Sequence, residues 1–165
     1  RQEFFPIMIA SDGGDVYSLF GMVDLLNQIK ATKQVVTVAV GHAFSSGAAL
    51  LTCGTPGFRF MNPNSVLVIH DVSSHGLGDD VKAHQLRIDL TETNRLSGKF
   101  FNLMESNSKC RKGVLKKRVA QLSGDWYVQP KEALKLGLID HIGLPTFQTE
   151  LAIRLVMPSS VEGTS

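Results

Sequence analysis

Cysteine is nearly missing: Cys53 and Cys110 are the only two in 165 residues, and no C-x-x-C pair occurs. That excludes a disulfide-stapled scaffold and a zinc ribbon, and it fits a reducing compartment. Cys53 follows the apolar pair Leu50–Leu51 and is expected to be buried, whereas Cys110 stands among charges and is expected at the surface. Long apolar runs are also lacking, and no signal-peptide pattern is visible, so neither a membrane span nor a secretory route is expected. Charge of either sign is scarce: 17 Lys+Arg stand against 15 Asp+Glu, a net charge of +2. A balance this even argues against nucleic acid or a membrane surface as partner. The one basic cluster, Lys109, Arg111, Lys112, Lys116, Lys117 and Arg118, reads as a solvated helix face. His75, His84, Asp79 and Asp80 show no recognised metal-ligand spacing.

What the chain does have is apolar substance, 43% of its residues, enough for one soluble domain with a real core. It begins at Arg1, and Phe4–Ala10 already reads as strand, so a segment upstream is expected to be missing. The most informative stretch is Val35–Ala49. Val35–Val40 is a β-branched run that reads as a buried strand. Gly41 is expected to break it, His42–Gly47 to turn the chain, and Ala48–Leu51 to begin a short helix ending near Thr52. A serine on a strand-to-helix turn can be displayed as a nucleophile, with backbone N–H groups nearby to stabilise an oxyanion. The blander reading of Ser45 or Ser46 is a helix N-cap.

Along the rest of the chain, Pro6–Ala10 reads as a strand, Ser11–Asp15 as a turn, and Val16 to near Lys30–Lys33 as a helix capped by Asp15. Short strands are expected at Phe58–Met61 and Val66–Ile69, the second ending at His70. A polar stretch, Ser73–Asp80, precedes a long helix over about Val81–Glu105, and a second helix covers about Lys112–Leu122. Trp126–Val128 reads as extended, Pro130–Leu136 as a helix opened by proline, and Leu138–Ile142 as a last strand. Strands alternating with helices indicate an α/β domain with parallel strands. The domain is expected over residues 1–144, with a partly disordered C-terminal extension at 145–165.

Ser45, His70 and Asp125 all fall at the ends of elements, where α/β folds build their sites. Histidine is suited to take a serine proton near neutral pH, and a carboxylate holds the imidazole in the required tautomer. Asp71 is a rival orienter, but successive strand side chains point to opposite faces, which places it poorly for its neighbour's ring. Ser46 is the rival nucleophile.

Four motifs then resemble, in order, the proteolytic subunit of the caseinolytic (Clp) protease. SDGGDV at Ser11–Val16 resembles that family's SPGG turn, and GHAFSSGAALL at Gly41–Leu51 its GxAxSxGxxLL nucleophile segment. PNSVLVIHD at Pro63–Asp71 resembles its histidine segment, and GDWYVQPKEALKLGLID at Gly124–Asp140 the segment carrying its third catalytic residue. The resemblance spans roughly Phe5–Ile142.

It implies a fold of the Clp protease/crotonase type, built of stacked β-β-α units with a protruding helix-strand handle. It assigns Ser45 as nucleophile, His70 as general base, Asp125 as third triad member, and the Gly13 and Ser46 amides as oxyanion donors. Substrate contacts are implied at Gly14, Ser73, Ser74 and Gly76, where a peptide would add as an extended strand. The implied protein is a cytoplasmic serine endopeptidase that needs no metal or cofactor. It would form heptameric rings, two of them stacked, and be fed unfolded chains by a separate AAA+ ATPase. The family's N-terminal segment has no counterpart in this sequence.

Asp12 departs from the family's Pro, Asp71-Val72 from its Gln-Pro, Ser46 from its Met and Gly124 from its Arg. The stretch between His70 and Asp125 is several residues longer than usual, with the excess near Asn107–Val114. Two other readings follow from the same pattern: a non-catalytic ring subunit assembling with an active paralogue, and a crotonase-like acyl-CoA enzyme.

Overall fold

A computed structural model describes residues 2–73 and 83–148 of the chain. In chain order its elements are β1 (Phe4–Ser11), α1 (Val16–Lys30), β2 (Gln34–Phe44), α2 (Ser46–Thr52), β3 (Arg59–Met61), β4 (Val66–Ile69), α3 (Ala83–Ser106), α4 (Val114–Leu122), β5 (Trp126–Val128), α5 (Pro130–Leu136) and β6 (His141–Ile142). Together they make a mixed α/β fold around one six-stranded sheet.

β2 organises the sheet. Val35, Val36, Thr37, Val38 and Ala39 are all buried, as expected of a strand covered on both faces. β1 runs parallel along one edge, from Phe4 opposite Gln34 to Ile9 opposite Ala39. The other edge is divided. β3 pairs with Thr37–Ala39 and β4 with His42–Phe44, both parallel. Between the two lies Gly41, with φ of 77° and its N–H donated to Ser65 Oγ at 2.9 Å.

The break expected at Gly41 is therefore corrected. The residue bends β2 at a dihedral that costs glycine little, and the strand passes from one neighbour to the next without leaving the sheet. Three further residues of strand, His42–Phe44, carry the chain to Ser45.

Other boundaries follow the sequence closely. Asp15 caps α1, accepting the Ser18 N–H at 2.8 Å. Leu19, Val23 and Leu26 form the buried stripe of that helix. α3 runs through Gly98, around which a side chain would meet nothing within 4 Å. Its expected first residues, 81 and 82, lie outside the described residues, as do most of Ser73–Asp80 and the extension from 149 onward.

Two further expectations fail. The last strand shrinks to His141–Ile142, because Leu138 and Ile139 turn into the core instead. Cys110 is buried like Cys53, since it packs into the same apolar cluster as Phe100, Met104 and Leu115. Its charged sequence neighbours Arg111 and Lys112 point out to water.

Candidate active site

Ser45 sits where β2 ends and α2 begins, with φ 51° and ψ −116°. Non-glycine residues rarely adopt a positive φ, and where they do, strain often marks a functional turn. The Ser45 N–H is tied to the Val68 carbonyl at 2.8 Å, anchoring the turn to β4. Ser45 occupies the N-cap position of α2, yet its side chain makes no capping hydrogen bond. The hydroxyl is thus not consumed by the role that sequence alone would most readily give it.

Ser46 differs. It is buried, and its hydroxyl donates to the Gly14 carbonyl at 2.9 Å, fastening the Ser11–Asp15 turn to α2. Of the two serines, the Ser46 hydroxyl is tied down, while the Ser45 hydroxyl makes no capping bond to its helix.

Gly13 lies against this turn with φ of 105°. A Cβ there would come within 2.9 Å of Ser45 Cβ and 3.1 Å of the Phe44 carbonyl oxygen. The backbone can approach the serine only because the side chain is missing. The Gly13 N–H donates to Ser11 Oγ at 3.1 Å. Ser46 opens α2, and the N–H groups of a helix's first residues have no carbonyl partner within the helix.

Ser45 and His70 line one cleft of about 830 Å³, together with Gly14 and Ser73. Ser74 and Gly76 lie outside the described residues. Asp12, Asp15 and Tyr17 form one wall of the cleft, and Asp89, Glu92 and Leu96 of α3 another. Asp12 pairs with His42 Nε2 at 3.2 Å. The Ser18 amide and hydroxyl hold the Asp15 carboxyl below its usual range. Arg95 grips both Glu92 oxygens, at 2.7 and 2.5 Å, and the Tyr17 hydroxyl donates to the same carboxylate. Arg95 first, and Tyr17 next, draw the Glu92 carboxyl down to about 2. This contact spans from α1 to α3, and nothing in the sequence announced it.

His70 follows the last residue of β4. β4 and β5 are antiparallel, with Leu67 opposite Val128, Val68 opposite Tyr127 and Ile69 opposite Trp126. The next residues outward in that register are His70 and Asp125. In a regular ladder, directly opposed residues share a face, with Cβ atoms roughly 4.5–5.5 Å apart. Asp125 is exposed, however, and it is not on the cleft wall.

His70 Nδ1 meets the Asp71 carbonyl oxygen at 2.6 Å. A carbonyl only accepts, so Nδ1 carries the proton in this contact, and Nε2 of the neutral ring is left as the acceptor. The Asp71 carboxylate turns away to Ser97 Oγ at 2.6 Å, in line with the opposite-face argument against it.

The class defined so far is an α/β protein with a serine displayed at a strand-to-helix turn beside a histidine at the end of the adjacent strand. The chain belongs to the Clp protease family, whose model, described as Clp protease, matches residues 2–145.

Proposed function

We propose that this chain is the proteolytic subunit of a Clp-type protease, a serine endopeptidase acting through an acyl-enzyme on Ser45. The observation that carries this reading is the non-capping Ser45 hydroxyl on a strained turn, in one cleft with His70, within a chain of this family.

Ser45 attacks the scissile carbonyl while His70 takes its proton through Nε2. His70 then returns the proton to the leaving amine, and water resolves the ester by the same route. Asp125 is the third member of the triad, and the β4–β5 register supports it. Engaging it requires His70 Nδ1 to exchange the Asp71 carbonyl for the carboxylate. Apo geometry of this kind commonly tightens on substrate binding or assembly. The amides of Gly13 and Ser46 serve the oxyanion, the first by leaving Ser11 Oγ. The substrate lies extended along Gly14 and Ser73; the contacts implied for Ser74 and Gly76 fall outside the described residues.

The domain, residues 1–144, works within heptameric rings supplied by an AAA+ ATPase. Met8, Met22 and Leu25 stand exposed on β1 and α1, and these apolar side chains suit packing against a neighbouring subunit.

A fluorophosphonate probe tests the reading. Labelling is expected on Ser45, absent in Ser45→Ala and retained in Ser46→Ala. A folded, assembled protein that never labels would instead be the non-catalytic ring subunit.

A further inference from the structure

Ser97 lies on α3, next to Leu96 of the cleft wall, and it is only 6% exposed. Its hydroxyl accepts the Val72 N–H at 3.3 Å and donates to Asp71 Oδ1 at 2.6 Å. The Val72 N–H and the Asp71 C=O belong to the same peptide unit, which is planar and trans, so the two groups point in opposite directions from one rigid plate. Fixing the N–H end therefore aims the C=O end. That C=O receives His70 Nδ1 at 2.6 Å. The contact runs without a gap from the Ser97 hydroxyl through one amide plane to the imidazole.

The Asp71 carboxylate has its own part. A serine hydroxyl has one proton and two lone pairs. Asp71 takes the proton, which leaves a lone pair facing the Val72 N–H.

We propose that Ser97, oriented by the Asp71 side chain, is a positioning residue for His70, holding the peptide plane that selects the Nδ1–H tautomer and leaves Nε2 to take the proton. The inference rests on the reading of His70 as general base. Asp125 and the Asp71 carbonyl act in turn on one N–H: the carbonyl sets the Nδ1–H tautomer in the resting site, so the ring is already in the required form when the carboxylate takes over. The sequence concealed this arrangement because it uses a main-chain carbonyl and a serine in mid-helix.

The test uses the full chain in its assembled state. Inactivation by a fluorophosphonate is resolved into a probe-affinity constant and a maximal rate. Ser97→Ala suits a helix and is expected to lower the maximal rate about tenfold, the affinity constant staying unchanged. Asp71→Ala, at an exposed position, is expected to lower it by a similar factor, and the double variant no further, because both act on one plane.

A second readout does not depend on activity. Nitrogen-15 NMR of the His70 ring, at a pH where its own signals show it neutral, is expected to show the Nδ1–H tautomer in the wild type and a mixture in both variants. An unchanged tautomer in either folded variant overturns the proposal whatever the kinetics show. If the wild type never labels, the nucleophile reading fails, while the tautomer measurement still decides the part played by Ser97. Should Ser97→Ala not fold, Asp71→Ala decides alone.

Discussion

The two strands that share the outer edge of β2 each carry a cation-forming side chain, and the two are treated oppositely. Arg59, at the start of β3, is 1% exposed and fully engaged. Its Nε meets Asp140 Oδ2 at 2.7 Å, one terminal nitrogen meets Asp140 Oδ1 at 2.8 Å, and the other meets the Asn107 carbonyl at 2.6 Å. Lys109 adds a contact to the same carboxylate at 3.1 Å. His70, just past β4, is half-buried, uses one nitrogen on a backbone carbonyl, and lines an open cleft.

Burial alone would raise the Asp140 carboxyl, but the Arg59 and Lys109 contacts outweigh it and hold the group well below the usual carboxylate range. A strongly perturbed ionisable group is often read as a mark of function. Here it marks a closed structural clasp, in which every partner is satisfied and nothing remains to meet a ligand. The more telling feature of a site is hydrogen-bonding capacity held in place and left unused, as at the Ser45 hydroxyl.

This contrast is sharpest if activity and stability separate between the two regions. Ser45→Ala is expected to lower peptide hydrolysis by about 10⁴-fold or more. Its melting temperature should stay within about 2 °C of wild type. Asp140→Ala should do the reverse. Removing one partner of a buried ion pair costs about 3–5 kcal/mol, because the other charge is stranded. Chemical denaturation should show that loss, while the folded fraction keeps its rate of probe labelling. A large drop in labelling per folded molecule would break the comparison.

Acid probes the same clasp. The folded pKa of Asp140 is depressed, so below the ordinary value of 3.8 the unfolded chain binds a proton that the native one refuses. Its contribution is fully present above that value and is lost as pH falls toward the folded pKa. Unfolding midpoints measured from about pH 5 to pH 3 should fall more steeply for wild type than for Asp140→Asn.

Much of the fold could be read in the sequence because local signals agreed with one another. The β-branched run at Val35–Ala39, the Asp15 cap, the proline opening α5 and the apolar spacing of α1 each point to one local structure. The failures have a common cause. Gly41 read as a stop because composition does not reveal that a neighbouring strand is waiting to be joined. Cys110 read as exposed because its neighbours are charged, whereas its own direction is set by the packing of α3 and α4. For the site, motif order pointed to Ser45 and His70, which line one cleft, and to Asp125, which is exposed and off its wall. What the residue string could not carry was the path from Ser97 to His70 and the Tyr17–Glu92–Arg95 contact, since both depend on elements distant in sequence coming together.

A smaller effect tests the packing around the clasp. A Cβ on Gly54 would lie 2.4 Å from Thr37 Oγ1 and 2.8 Å from Arg59 Cγ. Neither neighbour yields easily: Thr37 Oγ1 donates to the Leu51 carbonyl at 2.7 Å, and Arg59 is held by Asp140. Gly54→Ala should cost about 1–3 kcal/mol in denaturation measurements.

The smallest expected change has the opposite sign, and it bears directly on why Ser45 is presented as it is. A backbone held at φ 51° and ψ −116° costs a residue with a Cβ about 1–3 kcal/mol. Glycine adopts such angles freely, although its looser unfolded chain returns about 0.5–1 kcal/mol of the gain. Ser45→Gly should therefore be more stable than Ser45→Ala by about 1 kcal/mol, with both inactive. Comparing these two variants, rather than either with wild type, cancels the loss of the hydroxyl and isolates the backbone term. Equal stability would mean that the turn is relaxed and the hydroxyl is displayed without cost. A more stable glycine variant would mean that the chain keeps a strained residue at the turn where the hydroxyl is displayed.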